Sequence, residues 1–300
     1  MRTHLGISII KSFGIFILAG LALGMPRAAA AQVILNSSND GLQAIYVKDS
    51  SGQLTLAAEC RCPFPPSVSL DGSRVVYRVV QPDGTSAAYY KDAPFDGSAV
   101  RIDAVADPAS AGPLSSTPAL SGNGQFVVFT STANVDDASG EVPGSADLFI
   151  RDLASGSTER LTLGAHVTGN PSISADGRFV AFATSSQLAP EDVNAVGDVY
   201  VIDRSKSDLA LRLLTSPALK AAATDVAISA GGSAVAFTSA ADNLVADDAN
   251  GLADVFVVDL RAGTTTRITG PVNSTSQSVA SRFIGISGNG RRIAFGAGGS

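Results

Sequence analysis

Two short segments carry carboxylates at a spacing that suits a hard cation. In "ADDANGLADVFVVD" (246–259), Asp248, Asn250 and Asp254 follow one another as Asp-x-Asn-x-x-x-Asp; "PEDVNAVGDVYVID" (190–203) repeats the spacing with Asp192, Asn194 and Asp198. Calcium takes all its ligands as oxygens, so side chains of these types are the ones it needs. A helix-flanked calcium loop would require more. With Gly251 at its invariant glycine, Ala246 and Val257 stand where the first and last ligands belong. The same residue types have a second use, because Asp and Asn side chains accept hydrogen bonds from nearby backbone N–H groups and fix turns. The spacing therefore predicts either calcium ligands or turn staples, and a calcium site would leave the rest of its shell to backbone and water.

Other chemistry has few residues to draw on. His166, in "LGAHVTGNP", is the only histidine after residue 31, and no G-x-S-x-G nucleophile elbow occurs. No catalytic residue is predicted; acid–base work by a pair of loop carboxylates is the alternative. Cys60 and Cys62, in "ECRCPFPP", are the only cysteines. They predict a local disulfide staple or two free thiols, since a Cys-x-Cys bridge closes a very small ring. A His/Cys metal centre is nearly excluded by inventory.

The segments that position these residues are repeated. "SVSLDGSRVVYRV" (67–79), "ALSGNGQFVVFTS" (119–131), "SISADGRFVAFAT" (172–184), "AISAGGSAVAFTS" (227–239) and "GISGNGRRIAFGA" (285–297) share a Ser, a Gly three residues on, and an apolar run ending in an aromatic. Gly72, Gly124, Gly177, Gly232 and Gly290 are separated by 52, 53, 55 and 58 residues. The Asp-Gly and Asn-Gly dipeptides predict type I′ hairpins. The runs that follow lack alternation, as strands covered on both faces do. A second half-unit follows each first: "DLFIRD" (147–152), "DVYVID" (198–203) and "DVFVVD" (254–259) lead through a polar turn to another strand. Four strands per unit, a to d, at this period predict an all-β fold, a β-propeller of four-stranded antiparallel blades.

The ends leave two readings of the ring. The chain opens with strands c and d of one blade, preceded by "VILN" (33–36), and closes with strands a and b of another. If these share a blade the ring has five, although "VILN" and "RRIAFGA" then compete for one b position. The alternative is six or more blades with an unfinished ring.

Arg2 and Lys11, the apolar run "FGIFILAGLALG" (13–24) and the A-x-A pattern before Gln32 predict a secretory signal peptide over 1–31 and a single propeller domain over 32–300. A periplasmic or secreted location follows. Loss of Arg2, Lys11 and Arg27, with no acid among residues 1–31, would take the formal net charge from −6 to −9. So acidic a surface excludes nucleic acid as a partner, and no later stretch is long and apolar enough for a membrane helix.

The repeat Ser-x-(Asp/Asn)-Gly-x-x-(Val/Ile)-(Ala/Val)-Phe, as in "SADGRFVAF" and "SGNGRRIAF", resembles the TolB-like, WD40-like (PD40) propeller repeats of bacterial exported proteins. The resemblance covers residues 33–297 and implies the propeller fold. For function it implies a family that includes scaffolds, ligand binders and propeller domains of enzymes. The loops at 190–198 and 246–254 are also similar to the integrin-type propeller calcium loop D-x-D-x-D-G-x-x-D, matched at Asp248, Asn250, Gly251 and Asp254 and broken at Ala246.

Loop lengths then choose a face. The a–b and c–d turns are tight, whereas the b–c loops at 131–146, 184–197 and 239–253 are long. Long loops on a rigid scaffold are where binding resides. The expected function is a non-enzymatic scaffold that binds a protein or cell-envelope component through an acidic b–c/d–a face. The alternatives are a hydrolase or lyase on glycans or peptides using loop carboxylates, and a calcium-stabilised propeller. No cofactor other than calcium is expected.

Overall fold

The computed structural model describes residues 31–37, 42–49, 51–103, 116–132, 135, 145–205, 210–215, 218–246, 248, 251–269 and 284–295. The predicted signal peptide, up to Ala30, and Asn250 lie outside them, as do most of the loops at 103–117 and 131–146. Among the described residues the chain is all strand, and no helix is long and apolar enough to cross a membrane.

Six antiparallel sheets follow one another along the chain. The first holds β1 (Gln32–Ser37), β2 (Gln43–Lys48) and β3 (Leu54–Cys60). The second holds β4 (Ser67–Val68), β5 (Arg74–Val80), β6 (Ser86–Asp92) and β7 (Val100–Arg101). The third holds β8 (Ala119–Leu120), β9 (Phe126–Ser131), β10 (Asp147–Asp152) and β11 (Thr158–Arg160). The fourth holds β12 (Val167–Ile173), β13 (Phe179–Thr184), β14 (Asp198–Asp203) and β15 (Ala210–Leu213). The fifth holds β16 (Ala223–Ile228), β17 (Ala234–Ser239), β18 (Asp254–Asp259) and β19 (Thr264–Arg267). The last holds β20 (Ile284–Ile286) and β21 (Ile293–Phe295). The four-stranded sheets have the predicted a-b-c-d order. Of the two segments that compete for one b position, β1 is the one paired with β2, and β21 pairs with β20 in a separate two-stranded sheet.

The strands of the middle sheets are apolar on both faces because those sheets are sandwiched. Val127 belongs to a core shared with the second sheet, through Val76 and Ala88; its neighbour Val128 belongs to a core shared with the fourth, through Val180 and Phe182. Ala181 turns the other way, towards Val235 and Phe237 of the fifth. Within each sheet the aromatic that ends the motif stacks across to strand c: Phe129 on Phe149, Phe182 on Tyr200 and Phe237 on Phe256, with centroids 5.9, 6.0 and 5.8 Å apart. Such cross-strand pairs add to area burial and help fix register.

The a–b turns are not type I′. Gly72, Gly124, Gly177 and Gly290 have positive φ, but Asp71, Asn123, Asp176 and Asn289 do not. The reason lies in the serine. Ser174 Oγ accepts the Phe179 N–H at 2.9 Å and donates to Asp176 Oδ1 at 2.6 Å, which in turn accepts the Arg178 N–H at 3.0 Å. Ser69, Ser121 and Ser287 repeat the arrangement. These bonds hold the Asp or Asn at negative φ and leave only the glycine in the left-handed region. Ser174 is fully buried. Ser174→Ala should therefore cost about 1–3 kcal/mol, the penalty for stranding a buried N–H, read as a lower midpoint in urea unfolding.

The turns also join neighbouring sheets. Ala31 N–H donates to Leu70 C=O (3.2 Å), Leu70 N–H to Gly122 C=O (2.8 Å), Asn123 N–H to Ala175 C=O (2.8 Å), Ala175 N–H to Ala230 C=O (2.9 Å) and Gly231 N–H to Gly288 C=O (2.9 Å). All six sheets are thus linked along this face.

The c–d turns share that face, and each is held by the Asp that ends strand c. Asp203 accepts Arg178 Nε at 2.8 Å and Nη2 at 2.7 Å, and Asp92 pairs with Arg74 in the same way. The Arg178 guanidinium holds the Asp203 carboxyl well below the usual carboxylate range. A carboxyl with a lowered folded pKa contributes stability above its unfolded pKa, near 4, and loses it as pH falls. Stability should fall on acidification below about pH 4, and Asp203→Asn should flatten that dependence in melts taken across pH.

Candidate functional site

At the opposite ends of the strands lie the b–c and d–a connections, and with them the carboxylates singled out from sequence. Asp147, Asp198 and Asp254 each begin strand c, at β10, β14 and β18. Each meets a threonine just beyond strand d. Thr162 Oγ1 donates to Asp147 Oδ1 at 3.3 Å, and Thr215 and Thr269 donate to Asp198 and Asp254. The same hydroxyls accept the N–H of Leu148, Val199 and Val255 at 2.9, 3.2 and 3.1 Å. The second sheet reverses the placement. Asp103, at the threonine position, accepts the Ala88 N–H at 3.2 Å. One carboxylate therefore closes the c–d ladder at this end of each of the four-stranded sheets.

Counter-charge comes from strand d. Arg101 lies across from Tyr89, Arg160 from Phe149 and Arg267 from Phe256. Arg101 Nε is 3.0 Å from Asp103 Oδ1, and Arg160 Nη1 is 4.0 Å from Asp147 Oδ2. Arg267 reaches two carboxylates, with Nη1 2.9 Å from Asp248 Oδ1 and 3.6 Å from Asp254 Oδ2. In the fifth sheet a guanidinium thus sets positive charge against Asp248 and Asp254.

The fourth sheet differs at both positions. Leu213, not arginine, lies across from Tyr200, which stands where the third and fifth sheets have Phe149 and Phe256. The Tyr200 hydroxyl donates to Asp192 Oδ2 at 2.6 Å. Asp192 Oδ1 accepts the Asn194 N–H at 3.3 Å, and Asn194 Oδ1 accepts the Val196 N–H at 2.8 Å, so the turn-staple reading describes these bonds. Asp192 and Asp198 are buried, and neither has an ion pair among the described residues. Burial pushes the Asp198 carboxyl up, and the Asp192 charge adds to it, against the Thr215 hydroxyl and the Asn194 amide. Its second oxygen, Oδ2, is buried without a hydrogen-bond partner. No group of three or more His, Cys, Asp or Glu side chains forms among the described residues.

Asp147, Asp192, Asp198, Asp248 and Asp254 are all turned inward. Among the described residues of these loops, Glu191 and Asp242 are exposed, and so are apolar side chains: Val193 in the b–c loop of the fourth sheet is 70% exposed, and Leu163 and Ile268 past the ends of strand d are 58% and 41% exposed. The arginines and threonines behind the carboxylates were not singled out from sequence, although Arg160-Leu161-Thr162 and Arg267-Ile268-Thr269 are a visible repeat. His166 is exposed between β11 and β12 at φ 42°, with its N–H on Ser145 Oγ at 3.4 Å. Cys60 and Cys62 are disulfide-bonded and buried at the end of β3, in the first sheet. A hollow of about 520 Å³ between the fourth and fifth sheets, lined by Phe179, Val201, Arg212 and Arg261, opens on the turn side.

Solved structures share this architecture. TolB from Acinetobacter baumannii superposes with a TM-score of 0.58 at 17% identity, covering 89% of this chain and 58% of that one. An oligogalacturonate lyase in complex with manganese gives 0.60 at 17% identity, over 90% and 68% of the two chains. The β-propeller domain of the trilobed protease from Pyrococcus furiosus gives 0.53 at 10% identity, over 90% and 75%. This chain thus spans little more than half the length of the Acinetobacter TolB. No protein-family model matches it, and no curated protein does. At these identities the likeness establishes the fold, a TolB-like β-propeller of antiparallel sheets.

Proposed function

We propose that this chain is an exported, non-enzymatic β-propeller scaffold that holds a protein or another cell-envelope component on its b–c/d–a face, in the periplasm or outside the cell. Its six sheets are read as blades of a ring of six or more. The observation that carries the reading is the contrast between the two ends of the strands. The a–b/c–d face is closed on itself by turn hydrogen bonds, inter-sheet peptide bonds and arginine–aspartate pairs. Among its described residues the other face turns Asp147, Asp192, Asp198, Asp248 and Asp254 inward and projects Leu163, Val193 and Ile268. Exposed apolar side chains on loops of a rigid scaffold are what a partner desolvates.

Two experiments test this reading. In the first, Leu163→Glu and Val193→Glu should release a partner that co-purifies with the chain, without lowering its melting temperature, whereas Leu54→Glu on strand d should not. Release by the strand d variant alone would contradict it. In the second, the chain is assayed for turnover of envelope glycans and peptides. Activity abolished by Asp192→Asn or Asp198→Asn would favour the hydrolase or lyase reading instead.

A further inference from the structure

We infer that the fourth sheet holds a single divalent cation, of the calcium type, between the Asp192 and Asp198 carboxylates, in the place that arginine takes in the fifth sheet. The inference starts from equivalent positions. Strand d of the second, third and fifth sheets sets an arginine across from the aromatic of strand c, and each guanidinium lies within 4.0 Å of the carboxylate that closes its sheet. The fourth sheet keeps the carboxylate and its threonine, adds Asp192 from the b–c loop, and replaces the arginine by Leu213. The Tyr200 hydroxyl satisfies one oxygen of Asp192 but brings no charge.

Two carboxylates, 5% and 0% exposed, are left side by side with no cationic side chain among the described residues. Oδ2 of Asp198 has no hydrogen-bond partner. A buried charge persists only when it is paired or bound to a metal. The donor set is oxygen alone: the Asp192 and Asp198 carboxylates. No histidine or cysteine accompanies it, which selects a hard cation over zinc or copper. Calcium tolerates irregular sites completed by water, whereas magnesium demands a near-octahedral shell, so calcium fits a loop that offers few protein oxygens. The fifth sheet would take no ion, because Arg267 already neutralises Asp248 and Asp254. This inference does not rest on the binding role proposed above.

The test uses the full chain, freed of metal with EDTA and titrated with calcium chloride by calorimetry, with melts recorded with and without calcium. One site per chain is expected. Calcium at a hundred times its dissociation constant should raise Tm by about 5 °C. Asp198→Asn should abolish both signals. Leu213→Arg should abolish the calcium response and match the calcium-loaded Tm, because the side chain provides the missing charge. Absence of heat and of any shift in Tm would overturn the inference. A calcium response that survives both substitutions would overturn it too, by placing the ion elsewhere.

Discussion

Gly177→Ala should destabilise the chain by about 3 kcal/mol, with contributions from overpacking and from a left-handed backbone. Gly177 sits in the a–b turn of the fourth sheet at φ 76°, and a Cβ built there would lie 2.2 Å from the Phe126 ring at the start of β9. Gly232 meets Phe179 in the same way at 2.3 Å. In each case a turn glycine lets the aromatic that begins strand b of one sheet pack under the next. Any side chain must push the ring out of the joint or break the turn. The steric part can be separated from the backbone part, because Phe126→Leu opens space for a methyl group but leaves φ unchanged. The double variant Gly177→Ala/Phe126→Leu should lose less stability than the two single losses added together, by about 1 kcal/mol in urea unfolding. Strict additivity would show that φ alone sets the requirement for glycine.

Arg267→Leu should cost about 3–5 kcal/mol, the largest effect expected of any side chain on the loop face. Arg267 is 9% exposed and the Asp248 and Asp254 side chains are each 3% exposed, so removal of the guanidinium leaves two carboxylates in a dry site without the ion pairs they now have. The loss should shrink on acidification. A carboxylate buried without a counter-charge costs less once a proton removes the charge. Arg267→Lys should recover only part of the loss, since an ammonium on a single stem cannot address both carboxylates with a planar fork. Urea unfolding of the three forms at two pH values checks all of this. If the Leu variant unfolded at the midpoint of the unaltered chain, the network would be dispensable.

What the sequence revealed and what it hid divide by distance along the chain. The blade period was legible because Ser174, Asp176 and Gly177 lie within four positions and recur in every unit. Burial on both strand faces was legible too: neighbours such as Val127 and Val128 enter different cores, and both must be apolar. The turn type was not. An Asp-Gly pair predicts type I′ only while the serine is ignored, and that serine bonds to the backbone five residues on. The inward turn of carboxylates such as Asp254 was not legible, because Asp254 and its partners Thr269 and Arg267 lie far apart along the chain. The recurring Arg-x-Thr at the end of strand d was the available signal. Competition between "VILN" and "RRIAFGA" for one b position could be stated from sequence, whereas the pairing of β1 with β2 and of β20 with β21 is set by contacts that no local pattern shows.

The division of labour between the two faces is most directly tested by site-specific photo-crosslinking in cells. A photoreactive residue is placed at Val193 on the loop face and, in a second strain, at exposed Ser155 in a c–d turn. A single saturable adduct to one envelope component from position 193, with none from 155, is the predicted result. Equal labelling from both positions, or labelling from 155 alone, would contradict the assignment of binding to the b–c/d–a face.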